Sequence, residues 1–172
     1  MVISKNVVSR EIPGFKGYLA NDDGSITKPR GKTTFGTLRT DGYFQICINY
    51  NVCLVHRLIA FAWVENPRPD IFKCVDHKNI NTRGDKNVNT RGDNRPGNLR
   101  WLSDNLNKLN SSGKNCGFHK ASNKWRAYYT FNKKMFHIGC FDTEAEAHRV
   151  GRAGRDACFE KEYKRLCAGG NP

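Results

Sequence analysis

Between Ile12 and Val55 the chain is never far from a turn signal: Gly17, Asp22-Asp23-Gly24, Pro29-Arg30-Gly31, Asp41-Gly42 and Asn49 to Asn51. Gly, Asn, Asp and Pro in such groupings supply the backbone angles of tight turns and stop helices from propagating. Only short strands fit between them. Alternating stretches at 43–48 and 52–55 predict antiparallel hairpins, and residues 1–10 read as a loose leader. Residues 56–65, HRLIAFAWVE, read as a short buried helix stopped by Asn66-Pro67. A strand at 73–76, a polar loop, the step Asn98-Leu99-Arg100-Trp101 and a helix starting at Ser103 or Asp104 follow, either side chain being able to cap it.

With 172 residues the chain holds one large domain or two small ones. Aromatics at 11% argue for real cores. The 29 Lys and Arg against 16 Asp and Glu leave +13, more than solubility needs, and point to a polyanionic partner. The excess is spread: residues 1–55 carry seven basic and four acidic groups, 56–112 ten and six, 113–172 twelve and six. A long ligand touching all of the chain suits this better than one local anion site. The longest apolar stretch, 52–64, contains His56 and Arg57 and is too short to span a bilayer, and the N-terminus lacks the apolar region of a secretory signal. Seven cysteines at irregular spacing, with no C-x-x-C, read mostly as small buried hydrophobes in a reducing compartment.

The polar loop holds a tandem octet, NINTRGDK (79–86) followed by NVNTRGDN (87–94). Lengthening an exposed loop costs little, so the duplication is expected to carry no chemistry.

Asp76-His77 follows the apolar step Cys74-Val75 and precedes that loop. Phosphodiester hydrolysis needs a base for water, a divalent cation at the scissile phosphate and a protein anion to hold it. The stretch VHRLIAFAWV…VDHKN…DNRPGNLRWLSDNLNKLN resembles the HNH nuclease family in its phage and intron homing-endonuclease form, a hairpin and helix wrapped round one metal ion. The resemblance implies His77 as general base, Asp76 as metal-binding carboxylate, Asn98 as the residue bracing the loop, and Asn107 as second metal ligand. Such an oxygen donor set suits one Mg²⁺ or Mn²⁺ and disfavours zinc. The gap from His77 to Asn98 is longer than the family pattern, by about the duplicated octet. His56 is expected to serve packing and hydrogen bonding rather than catalysis. Upstream, PGFKGYLANDDGSITK and LRTDGYFQICI resemble the N-terminal strand module of such enzymes, with Lys28, Arg30, Lys32 and Arg39 placed to meet DNA.

Beyond a polar linker at 111–115, strands near 116–120, 124–131 and 134–141 precede a helix at about 143–159. Parity puts Lys124, Arg126, Tyr128 and Thr130 on one face and Trp125, Ala127, Tyr129 and Phe131 on the other, joined by Phe136, Ile138 and Cys140. Ala147, Gly151, Gly154 and Cys158 form a small-residue stripe that lets the helix lie close on the sheet. The text CGFHKASNKWRAYYTFNKKMFHIGCFDTEAEAHR resembles the APETALA2-type DNA-binding domain. That resemblance implies DNA-facing roles for His119, Lys124, Tyr128, Thr130 and His137, with Arg126 on the same face.

The fold class expected is α+β: an N-terminal small antiparallel strand module (1–55), a ββα-metal HNH core (56–110), and a C-terminal three-stranded antiparallel sheet packed on one helix (116–172). The function expected is a homing-type, metal-dependent endonuclease on double-stranded DNA, nicking as a monomer, with dimerisation or two sequential nicks as the routes to a double-strand break. A restriction or defence nuclease, and a DNA-binding regulator with a decayed site, are the alternatives. No P-loop or dinucleotide fingerprint is present, so no small-molecule cofactor is expected, and no membrane. A reducing compartment with access to DNA is the location this implies.

Overall fold

The computed structural model describes residues 7–79, 90–110 and 114–171. It is α+β, with several small antiparallel sheets and a C-terminal helix. The chain divides into two compact units, one of residues up to Pro67 with Val75–Trp101, the other of Arg68–Cys74 with residues from Leu102 onward. Residues 102–110, expected with the nuclease core, thus group with the C-terminal part. No helix among the described residues is long and apolar enough to cross a membrane.

In the first unit β1 (Ser9–Glu11), β2 (Leu19–Asn21), β3 (Ile26–Thr27) and β4 (Thr33–Thr34) form an antiparallel sheet in chain order. Strand β1 corrects the end of the expected loose leader, whose residues 1–6 lie outside the described residues. Its register opposes Ser9 to Asn21, the Ser9 hydroxyl donates to Asn21 Oδ1 at 2.7 Å, and the Arg10 guanidinium stands 4.1 Å from the Trp63 ring centre. A second sheet holds β5 (Thr37–Leu38), β6 (Phe44–Ile48) and β7 (Asn51–Leu54). Asn49 and Tyr50, both left-handed, close the β6–β7 hairpin as the turn signal predicts.

In β6 the strand period buries Ile46 and Ile48 and exposes Cys47 between them. The expectation of mostly buried cysteines therefore fails. None of the seven cysteines is in a disulfide, and only Cys116 is buried.

Helix α1 (Val55–Trp63) follows β7 directly. Val55, Leu58 and Ile59, three and four residues apart, make its buried stripe. It stops at Trp63, two residues short of the expected end, where Val64 turns extended. Indole N–H groups fasten it at that end: Trp63 Nε1 donates to the Ala20 carbonyl and Trp101 Nε1 to that of Val64, both at 2.9 Å. Strands β8 (Cys74–His77) and β9 (Leu99–Leu102) pair as a two-stranded sheet. Residues 80–89, most of the first octet and the start of the second, lie outside the described residues, as do 111–113 of the expected linker.

The second unit contains α2 (Asp104–Leu109), β10 (Cys116–His119), β11 (Lys124–Phe131), β12 (Lys134–Phe141) and α3 (Glu144–Cys167). Ser103 caps α2, its hydroxyl accepting from Leu106 N at 3.3 Å. The three strands form one antiparallel sheet with α3 across one face. Ala147 of α3 is fully buried against Cys116 and Ala127, ringed by Trp125, Phe141 and Val150. Gly151 is required there, because a β-carbon would run into the Asn115 carbonyl oxygen.

Two expectations for this unit need correction. Helix α3 extends eight residues past 159, because its last turns have a partner far upstream in the chain. Phe72 stacks on Tyr163 at 5.6 Å and Tyr163 on Phe159 at 6.1 Å. Arg68 Nη1 donates to the carbonyls of Leu166 and Gly170 at 3.0 and 3.3 Å, occupying oxygens that a helix end leaves without intrahelical donors. The second correction is a bulge. Ala127 opposes Gly139 but Tyr128 opposes His137, leaving Ile138 as an extra residue. Parity inverts across it, so Cys140 opposes Arg126 and joins the polar face, its sulfur 3.8 Å from His137 Nε2.

Candidate functional site

Strand β8 alternates, burying Val75 and His77 and turning Asp76 to the opposite side. His77 is only 5% exposed, and so is His56, the second residue of α1. Their ring centres lie 5.2 Å apart, with Tyr43 at 4.9 Å from His56 and 6.0 Å from His77. Arg91 covers this cluster, its guanidinium 5.0 Å from the Tyr43 ring centre and its Nη1 donating to the Asp41 carbonyl at 2.7 Å.

The His77 ring is fixed by Asn94, whose Oδ1 lies 3.1 Å from Nε2 in a buried contact. An amide oxygen can only accept, so Nε2 carries the proton and Nδ1 keeps the lone pair. Gly24, at φ +88°, makes room for this loop: a β-carbon there would sit 2.9 Å from the Asn94 carbonyl carbon and 3.0 Å from Arg95 N. Asn98 closes the loop across its base. Its Nδ2 donates to the Asp93 carbonyl at 2.8 Å, its Oδ1 accepts from Asn79 N at 3.0 Å, and its own carbonyl accepts from Lys78 N at 2.7 Å. The bracing position expected for Asn98 is the position it occupies.

Burial lowers the pKa of both histidines. For His77 the loss of solvent outweighs the opposing pull of the Asn94 hydrogen bond and of the Asp76 and Asp93 carboxylates. His56 is brought down to about 3 by burial first, then by His77 and Arg57. Both imidazoles are neutral at pH 7, which is the state a general base requires.

Asp76, expected to bind metal, is held by Arg100, whose Nε and Nη2 both reach Oδ2 at 3.0 Å. Asn107, expected as the second ligand, is half-buried on α2 in the second unit. Among the described residues no three His, Cys, Asp or Glu side chains cluster as metal ligands. The expected donor set is leaner, a carboxylate and an amide oxygen. In chemistry it fits a hard cation that keeps much of its water and completes its shell with phosphate oxygens of the substrate.

Of the cations expected at DNA in the first unit, Lys28, Arg30 and Lys32 lie on the β3–β4 hairpin, closed by Lys28 N to Lys32 O at 2.9 Å. Arg39 is paired with Asp41 at 3.1 Å and bonded to Gln45. In the second unit the register places His119 beside Lys124, Arg126 beside Gly117 and Cys140, and Tyr128 beside His137, with Thr130 beside Met135. All six expected residues thus share the sheet face opposite α3. Lys124 also meets Asp142 at 3.1 Å, and His119 Nδ1 meets Ser122 Oγ at 2.8 Å.

The last residues of the duplicated octet, expected to carry no chemistry, reach the candidate site: Asn94 meets His77, the Asp93 carbonyl accepts from Asn98, and Arg91 reaches Asp41 and Tyr43. One signal was available: the copies differ at their last position, Lys86 against Asn94. Tyr43 had none, since it enters through tertiary packing alone.

Compared with known protein families, curated proteins and solved structures, the chain matches none.

Proposed function

We propose that this chain is a metal-dependent endonuclease that hydrolyses phosphodiester bonds in duplex DNA, of homing type, with a nick as its simplest product. The observation that carries the reading is His77: a neutral imidazole at the end of β8, clamped at Nε2 by Asn94 so that Nδ1 keeps its lone pair, under a loop that Asn98 braces. In this reading His77 accepts the proton of the attacking water, and Asn94 and Asn98 hold its ring at one angle. A Mg²⁺ or Mn²⁺ ion bound through Asp76 supplies neutralisation of charge on the scissile phosphate when present. Because Arg100 already satisfies much of that carboxylate's charge, Asp76 would hold such an ion only weakly without substrate. The +13 charge, the β3–β4 hairpin cations and the polar face of the β10–β12 sheet support duplex DNA as the partner.

The Asp76–Arg100 pair also favours a second reading, a DNA-binding regulator whose carboxylate has been retired into a structural ion pair. Nicking of supercoiled plasmid separates the two. Wild type in Mg²⁺ is expected to nick, EDTA to stop it, and His77→Ala to slow it about a hundred- to ten-thousandfold. Asp76→Ala should abolish the metal response. A wild-type protein that binds DNA tightly and never nicks it would establish the regulator.

A further inference from the structure

The reading above leaves His56 without work. Its Nδ1 is the only buried side-chain nitrogen or oxygen without a hydrogen-bond partner among the described residues. Such an orphan is destabilising, and a phenylalanine would pack against Tyr43 and His77 without that cost. Its position is specific: the ring stands 5.2 Å, centre to centre, from that of His77. A single oxygen hydrogen-bonded to both rings spans such a separation.

We propose that His56 is a second catalytic histidine, whose Nδ1 holds the nucleophilic water against His77. The inference rests on the nuclease reading and deepens it. The two protons of the water then have two acceptors. His77 Nδ1 takes one proton as the oxygen–phosphorus bond forms. His56 Nδ1 accepts a hydrogen bond from the other, which leaves an oxygen lone pair aimed at phosphorus. The bond from phosphorus to the 3′ oxygen breaks, and that oxygen departs with the electron pair and is protonated by solvent, leaving a 5′ phosphate. Burial supports this assignment by keeping His56 unprotonated at pH 7, with one nitrogen free to accept.

The test is single-turnover nicking of supercoiled plasmid in Mg²⁺ by the full chain and by His56→Phe, His56→Leu and His56→Gln, beside mobility-shift affinity and thermal melting. Two apolar variants are used so that one folded protein suffices. The apolar variants are expected to nick about tenfold or more slowly at saturating enzyme, with DNA affinity unchanged and melting no lower than wild type. His56→Gln, which keeps a hydrogen-bonding side chain, is expected to recover part of the rate. Apolar variants that nick at the wild-type rate would overturn the proposal, as would losses equal in all three variants and matched by lowered melting. A wild-type protein with no metal-dependent nicking would overturn the nuclease reading itself, an outcome visible before any variant is compared.

Discussion

At the scale of single residues, the two histidines tie stability to pH. His56 has a folded pKa of about 3 against an ordinary 6.5, so between those values the unfolded chain binds the extra proton. Stability is therefore fully present above pH 6.5 and drains as pH falls toward 3, with a slope of up to about 1.4 kcal/mol per pH unit from this group. Urea unfolding at a series of pH values should show a shallower acid loss in His56→Phe than in wild type. An identical slope in the two proteins would mean that His56 is not the group being protonated. The strand-end places of Asp76 and His77 and the place of Asn98 just before β9 were legible in the sequence, because strand and turn signals close by in the chain set them. Asn94 and Tyr43 were not, since nothing local distinguishes a side chain that reaches an imidazole from one facing solvent. Nothing local marks Arg100 as the partner of the Asp76 carboxylate, which only the pairing of β8 with β9 decides.

At the scale of elements, turn residues carried most of the legible fold. The Asn49-Tyr50 hairpin, the Ser103 cap and the strands at 124–131 and 134–141 all stand where local signals place them. What escaped is what depends on partners distant in sequence: the bulge at Ile138, the added turns of α3, and β1. The glycines of α3 make a graded test of helix-on-sheet packing. Replacing a helical glycine by alanine normally gains about 1 kcal/mol of helix propensity. Gly151 faces the backbone of Asn115, which has little room to yield, whereas Gly154 faces the terminal methyl of Ile138, which can rotate away. Gly151→Ala is expected to destabilise by about 1–3 kcal/mol and Gly154→Ala to stay near wild type. The midpoints of urea denaturation report the difference, and equal effects would show that α3 does not sit as closely as the coordinates place it.

At the scale of the whole molecule, the proposed function makes the surplus of positive charge govern how DNA affinity would respond to salt. Arg126 on the β10–β12 face should contribute about one unit to the slope of log affinity against log salt, and Arg126→Ala should remove it. Lys124→Ala should remove less, because Asp142 at 3.1 Å already offsets that charge. Mobility shifts across a salt series measure both, and an unchanged slope for Arg126→Ala would take this face out of the DNA contact. The seven residues from Arg68 to Cys74 belong with the end of α3, although the chain on either side of them belongs to the other unit. The two bodies are interleaved rather than threaded like beads. No single scission yields both intact, and a fragment begun at residue 102 would leave Tyr163 bare of Phe72 and the terminal carbonyls of α3 without their arginine.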